Sequence, residues 1–244
     1  MLKHRSIRKF KSTPISEEIL AEILQAGARA STCGNMQLYS LIVTRDEAMR
    51  RKLLPCHFGQ QMVVEAPCLI TVCADIHRFS MWCEQRDAEP AYDNFAWFLT
   101  ATIDAMLAAQ NIAIAAESHN LGICYLGTTI YTAGDIVQTL ELPKGVIPVT
   151  TLVVGYPDEK PEQADRLPMD AVVHYEKYFD YTAAEIDELW AEREESELTK
   201  RLLEENGLEN LAKIFTERRY VKKDNISVSQ SYLALLKERG FMNQ

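Results

Sequence analysis

A chain of 244 residues is one large domain or two small ones, and it is long enough to bury a substantial core. Hydrophobic residues make up 47% and charged residues 25%, which excludes disorder as a global description. The formal net charge of -9 disfavours nucleic-acid binding through phosphate neutralisation, so arginines clustered in this chain point to a small anionic ligand rather than a polyanion.

The opening Met1-Leu2-Lys3-His4-Arg5 lacks the apolar core of a signal peptide, so the expected location is the cytoplasm. His4-Arg5-Ser6-Ile7-Arg8-Lys9-Phe10 then gathers an imidazole, two guanidinium forks, an ammonium and a hydroxyl. This is either an anion site or a solvated terminus. Arginine's planar fork suits bidentate contact with phosphate, and Ile7 and Phe10 offer two apolar pins to a core.

Ser16 reads as an N-cap, and Ile19, Leu20, Ile23 and Leu24 repeat at helical spacing towards an end near Gly27 to Ala30. Ser31 to Gln37 is a loop by composition, and Leu38 to Thr44 a strand. Asp46 to Leu54 is a short helix, and another beginning at Gly59 must stop before Pro67. Cys68 to Ala74 is a continuous apolar run of strand length, the mark of a strand covered on both faces, so the sheet is internal with helices above and below.

Tyr92 to His119 is the longest helical pattern. Thr100, Thr102, Asp104, Gln110 and Asn111 interrupt its apolar content, so it reads as a buried helix rather than a membrane span, and no membrane partner is expected. Apolar nearly all round, it should be buried on most sides, and a dimer interface would cover what one chain leaves open. Ile123 to Gly127 gives a third strand, Thr128-Thr129 a polar turn, Ala133 to Leu140 a short helix and Val146 to Gly155 a fourth strand. Asp158 to Arg166 is a charged surface excursion, Thr182 to Leu203 a long charged helix and Val228 to Arg239 a terminal helix. Arg218, Arg219, Lys222 and Lys223 form a basic stretch that is either solvated or ligand-binding. The six cysteines show no CxxC pair, so they read as buried small hydrophobes and no metal site is expected.

The HRSIRKF opening, the SxCGNMQ loop, the GQQMVVEAP helix, the LGICYLGTT strand and turn, and ELPKGVIPVTTLVVGYP followed by RLP together resemble the FMN-dependent nitroreductase family. Within it they are most similar to the branch of NADPH-linked flavin reductases and major oxygen-insensitive nitroreductases. The resemblance covers nearly the whole chain and rests on the order and spacing of the motifs, since none is specific alone. It implies an α+β fold in which a mostly antiparallel central sheet is enclosed by helices, in an intertwined homodimer with FMN at the subunit interface. Residues 1–200 would form the FMN-binding domain, and 201–244 a carboxy-terminal helical extension packed on that domain or on its dimer partner.

The same resemblance implies the site. His4, Arg5 and Ser6 match residues near the FMN phosphate and ribityl chain, and Arg8 matches the cation near N1 and O2 of the ring, where positive charge raises the two-electron potential. Ser31, Cys33, Asn35 and Gln37 match the loop lining the cofactor, and Gln61 a glutamine near the ring. Leu126, Gly127 and Thr128 match the segment under the flavin, and Arg166 an arginine at the phosphate. Ala164 stands where relatives carry a lysine, so one phosphate cation is missing. Arg218 and Arg219 lie where relatives recognise NADPH. The implied activity passes hydride from NADPH or NADH through FMN to nitroaromatic, quinone or flavin acceptors by ping-pong kinetics, with no catalytic acid or base from the protein. The alternatives are a non-catalytic FMN storage or sensor protein of the same fold and a structural dimer with a vestigial pocket.

Overall fold

The computed structural model describes all residues, Met1–Gln244. They form two compact units, Met1–Glu162 with Gln230–Gln244, and Gln163–Ser229.

In the first unit, α1 (Glu17–Ala28) starts where Ser16 accepts the Ile19 N–H at 3.2 Å. Asp46 caps α2 (Glu47–Leu53) in the same way. A 3-10 turn, Pro55–His57, leads to α3 (Met62–Glu65), which stops before Pro67 as the proline requires. The remaining elements are β1 (Tyr39–Thr44), β2 (Cys68–Asp75), α4 (His77–Glu84), α5 (Phe95–Ser118), β3 (Gly122–Leu126), α6 (Thr128–Tyr131), α7 (Ala133–Thr139) and β4 (Val146–Gly155).

The four strands lie in the order β1-β2-β4-β3, and every pair is antiparallel. Every residue of β2 and β4 is buried. Alternation explains it, because successive side chains leave opposite faces of a sheet. Cys68, Ile70, Val72 and Ala74 enter a core shared with Leu20 and Ile23 of α1 and Ala105, Ala109 and Ile112 of α5. Leu69 enters a second core with Leu53, Met62, Val63 and Ile136 from α2, α3 and α7. The continuous apolar run of β2 is thus two interleaved half-patterns.

The expectation for α5 needs correction. Its length and composition would suffice to cross a membrane, yet one face packs on α1 and the sheet. That face carries Ala101, Ala105, Ala108, Ala109, Ala113 and Ala116. The opposite face, with Leu99, Ile103, Met106 and Leu107, is exposed in the single chain, so the helix is buried on one side rather than most. Two further differences concern helix ends. Thr128-Thr129 opens the short helix α6 instead of a turn, and the terminal helix begins at Lys222, well before Val228.

In the second unit, the long charged helix is two helices, α8 (Ala183–Glu195) and α9 (Glu197–Asn206). Ser196 takes an extended conformation between them and accepts the Thr199 N–H, so a serine that could pass for helix surface is a new N-cap. Then come α10 (Leu211–Ile214), a π-helical turn at Phe215–Arg219, and α11 (Lys222–Glu238), whose later turns belong to the first unit.

Candidate functional site

The basic opening segment is anchored along the sheet. Ser6 bridges Ile123 in parallel, the Ile7 N–H donates to Ile123 O at 2.9 Å, and Phe10 bridges Pro157. Ile7 and Phe10 are buried as pins. Gly122 makes the approach possible, because a Cβ there would stand 2.6 Å from Ile7 Cγ1. Glu159 closes the segment from the other side by accepting the N–H groups of Arg8 at 2.5 Å and Lys9 at 3.1 Å. A freely solvated terminus is therefore excluded.

Lys3, His4, Arg5, Glu117, Glu159 and Lys160 are among the residues lining an open hollow of about 650 Å3. His4 Nδ1 lies 2.5 Å from Glu117 Oε1. Arg5 donates from Nη1 to Lys3 O at 3.0 Å, but its buried Nε has no partner. An unmatched buried guanidinium N–H is costly, and an anionic acceptor would satisfy it.

The parallel bridge at Ser6 sends Arg8 in the direction of Leu126, at the end of β3. Buried hydroxyls hold the backbone that follows. Thr129 Oγ1 donates to Leu126 O at 2.9 Å and lies 3.1 Å from Thr151 Oγ1, which in turn is 3.4 Å from Thr71 Oγ1. Gly127 is exposed, and a Cβ there would meet nothing within 4 Å, so open space lies over this segment. Beside it His57, fully buried, places Nδ1 2.9 Å from Thr128 Oγ1, while its Nε2 has no partner. Burial lowers the His57 pKa to about 4, so the ring is neutral. Gln61 is exposed, its amide bonded to Gly59 O at 3.3 Å.

Ser31, Cys33, Asn35 and Gln37 are all exposed on the loop after α1. The loop is unusual in its backbone, with Gly34, Asn35 and Gln37 at φ of 54°, 56° and 53°. A left-handed conformation costs a non-glycine residue about 1–2 kcal/mol, so something must hold it. The holder is Asp104 of α5, 2% exposed, which accepts from Thr32 Oγ1 at 2.5 Å, Cys33 N at 3.0 Å and Leu38 N at 3.3 Å. Arg78 supports the exit by donating to the carbonyls of Gln37 and Tyr39. Cys33 is the one exposed thiol. The other five are buried, and burial pushes Cys68 and Cys73 up to about 12, which leaves them inert.

The sheet register separates these groups within one chain. Ser6 is level with Ile123 and hence with Val154, whereas Tyr39, where the loop enters β1, is level with Ala74 and hence with Ile147. The two positions are on opposite edge strands and seven residues apart along β4, which corresponds to roughly 25–30 Å. Within one chain Arg8 lies on the segment that runs alongside β3 in the direction of Leu126, and the loop lies apart from it. In the second unit, Arg166 donates to its neighbours' carbonyls, Ala164 O at 3.3 Å and Asp165 O at 2.7 Å. Arg218 and Arg219 end the π-helical turn, with the Arg219 guanidinium 5.6 Å from the Phe215 ring centre.

Asp104, His57, Arg78 and Glu159 were not singled out from the sequence. Asp104 carried a usable signal, since an acid inside an apolar helix is buried only where donors meet it.

The fold is an α+β scaffold built on a four-stranded antiparallel sheet, and residues 1–156 match the model of the nitroreductase family. The chain belongs to that family, whose matched relatives make it an NAD(P)H-dependent oxidoreductase. An NADPH-dependent oxidoreductase of Staphylococcus aureus (strain USA300) is 38% identical over 180 residues, covering 72% of this chain and 71% of that protein. Among solved structures, the NfrA1 nitroreductase from B. subtilis superposes with a TM-score of 0.86 at 28% identity, covering 98% of this chain and 96% of the other. The NADPH:FMN oxidoreductase from Vibrio harveyi, solved in complex with NAD+, superposes with a TM-score of 0.82 at 26% identity, covering 100% and 97%.

Proposed function

We propose that this chain is a cytoplasmic, FMN-dependent oxidoreductase that passes reducing equivalents from NADPH or NADH to nitroaromatic, quinone or flavin acceptors, and that it works as a homodimer. In this reading residues 1–200 are the flavin-binding domain and 201–244 its helical extension. FMN, when bound, supplies the hydride chemistry at N5; the chain's residues supply binding and charge.

The observation that carries the reading is the unmatched Nε of Arg5 at the edge of an open hollow, on a segment pinned alongside β3, the strand that leads to exposed Gly127. Those features suit a ligand with an anionic end and a flat polar end. Arg5, with His4 and Ser6, would hold the phosphate and ribityl chain, while Arg8, Leu126, Gly127 and Thr128 would face the ring. The separation of the loop from this segment within one chain favours two copies per site, with Ser31, Cys33, Asn35 and Gln37 reaching a flavin held mainly by the other chain, and Gln61, close in sequence to His57 on Thr128, lying with the holding chain. The apolar face of α5 is the surface on which the copies would meet. Arg218 and Arg219 would meet the NADPH phosphate.

The test is reduction of the FMN-loaded protein under anaerobic conditions with NADPH and NADH compared, then reoxidation with a panel of acceptors. The protein should be yellow, bleach with reduced nicotinamide and regain colour with acceptor. Colourless protein that cannot be reconstituted with FMN would sink the reading. Ala164, with Arg166 turned to its own backbone, favours one competing reading, a protein that stores or senses FMN without turnover. Bound flavin that neither nucleotide reduces would select it.

A further inference from the structure

We infer that Asp104 is the positioning residue of the flavin loop, acting through Thr32 to set the backbone that presents Ser31, Cys33, Asn35 and Gln37. The inference rests on the flavin reading above for its ligand, but its geometry stands alone. The carboxylate is on α5, a different element from the loop, and is almost fully buried. Its two oxygens meet three donors. Oδ1 takes the Cys33 N–H, and Oδ2 takes the Thr32 hydroxyl and the Leu38 N–H. Those donors come from the first and last residues of the bend, so one carboxylate ties both ends together.

The tie then continues outward. The Thr32 hydroxyl, having donated to Asp104, accepts the Gln37 N–H at 2.8 Å. Gln37 is one of the loop's two left-handed non-glycine residues, and its side chain donates to Asn35 O at 3.1 Å, where the other lies. The line from Asp104 through Thr32 to Gln37 and Asn35 therefore runs from the buried helix to the exposed amides. Without it the loop loses the hydrogen bonds that α5 gives it, so Asn35 and Gln37 would relax towards ordinary backbone and turn away the amides that would read the flavin.

Every donor here demands an acceptor, so Asp104→Asn is disruptive despite its matching shape: its NH2 must face either the Cys33 N–H or the Thr32 and Leu38 donors. Thr32→Val removes the relay and leaves the carboxylate, while Thr32→Ser restores the hydroxyl. The experiment titrates flavin-free full-length protein with FMN, following flavin fluorescence. It also measures amide hydrogen exchange in the peptides covering 31–38 and 95–118. The expected result is an FMN Kd raised about tenfold or more in Asp104→Asn and Thr32→Val, as for a lost hydrogen bond to a charged group. Exchange should be faster in 31–38 only, and both measures should recover in Thr32→Ser. An FMN Kd unchanged in Thr32→Val, or exchange that rises equally along α5, overturns the inference by making Asp104 a general fold contact. Wild-type protein that binds no FMN defeats the flavin reading instead. In that case localised exchange in 31–38 still upholds Asp104 as the loop's anchor, and its absence overturns it.

Discussion

His57 makes stability respond to acid. Fully buried, it is held neutral, with Nδ1 on the Thr128 hydroxyl and Nε2 unmatched, and burial lowers its pKa to about 4. In the unfolded chain the imidazole takes a proton below about 6.5. Between those values the unfolded state binds the extra proton, so folding stability is whole above pH 6.5 and falls as the pH drops towards 4. At about 1.4 kcal/mol per pH unit, the loss is about 2 kcal/mol at pH 5 relative to pH 7.5, and about 3 kcal/mol at pH 4. His57→Asn keeps a polar group near the Nδ1 position and removes the titration. Its own packing cost is an offset common to every pH.

Urea unfolding of both proteins from pH 7.5 to pH 5 gives the difference directly. The wild type should lose about 2 kcal/mol more than His57→Asn over that range. A pH-independent gap between them would show that the buried ring is not the acid-sensitive group, and a gap that widened in the opposite sense would mean that the folded state prefers the charged ring.

Arg8→Ala should lower the potential of bound flavin by tens of millivolts, at about 30 mV for each 1.4 kcal/mol of lost charge stabilisation, and slow its reduction more than it loosens FMN. Anaerobic potentiometry that finds no change refutes that role. Arg5→Ala should chiefly raise the FMN Kd, by about tenfold, read by fluorescence titration. Gly122→Ala forces a methyl to within 2.6 Å of Ile7 Cγ1 and should cost about 1–3 kcal/mol of stability, with FMN loosened because Arg5 and Arg8 ride on the displaced segment. Unchanged denaturation and unchanged binding would show that the segment shifts without consequence. Ile103→Asp, at a site 60% exposed in the single chain, should leave the fold intact and yield monomer in analytical ultracentrifugation.

Much of the fold was legible because its signals are local. Ser16 caps α1 as expected, the helix expected over Asp46 to Leu54 is α2, Pro67 ends α3, and the apolar run at Cys68–Ala74 lies between two layers. Signals that depend on tertiary partners were not legible. His77–Glu84 has no side-chain cap and only one buried residue, Cys83, so α4 carries no clear start signal in the sequence. Ser196 looks like surface until its own backbone is seen to be extended. The residues proposed to face the ligand were reached by resemblance, through the order of short motifs, whereas Asp104 and Glu159 are joined to their segments across 66 to 151 positions of sequence. No periodicity reports such pairs.

The two faces of α5 show what residue size adds to polarity. Toward the sheet and α1 it presents mainly alanines, and Gly27 of α1 comes so close that a Cβ there would lie 2.5 Å from Ile112 Cγ1. Small residues on the inner face let three layers approach closely and bring Asp104 within reach of the loop. The larger Leu99, Ile103, Met106 and Leu107 lie on the outer face, the reverse of what a lone core helix needs, because large side chains gain most from burial. An outward strip of such residues, kept beside a loop that Asp104 fixes, is consistent with a second copy covering it.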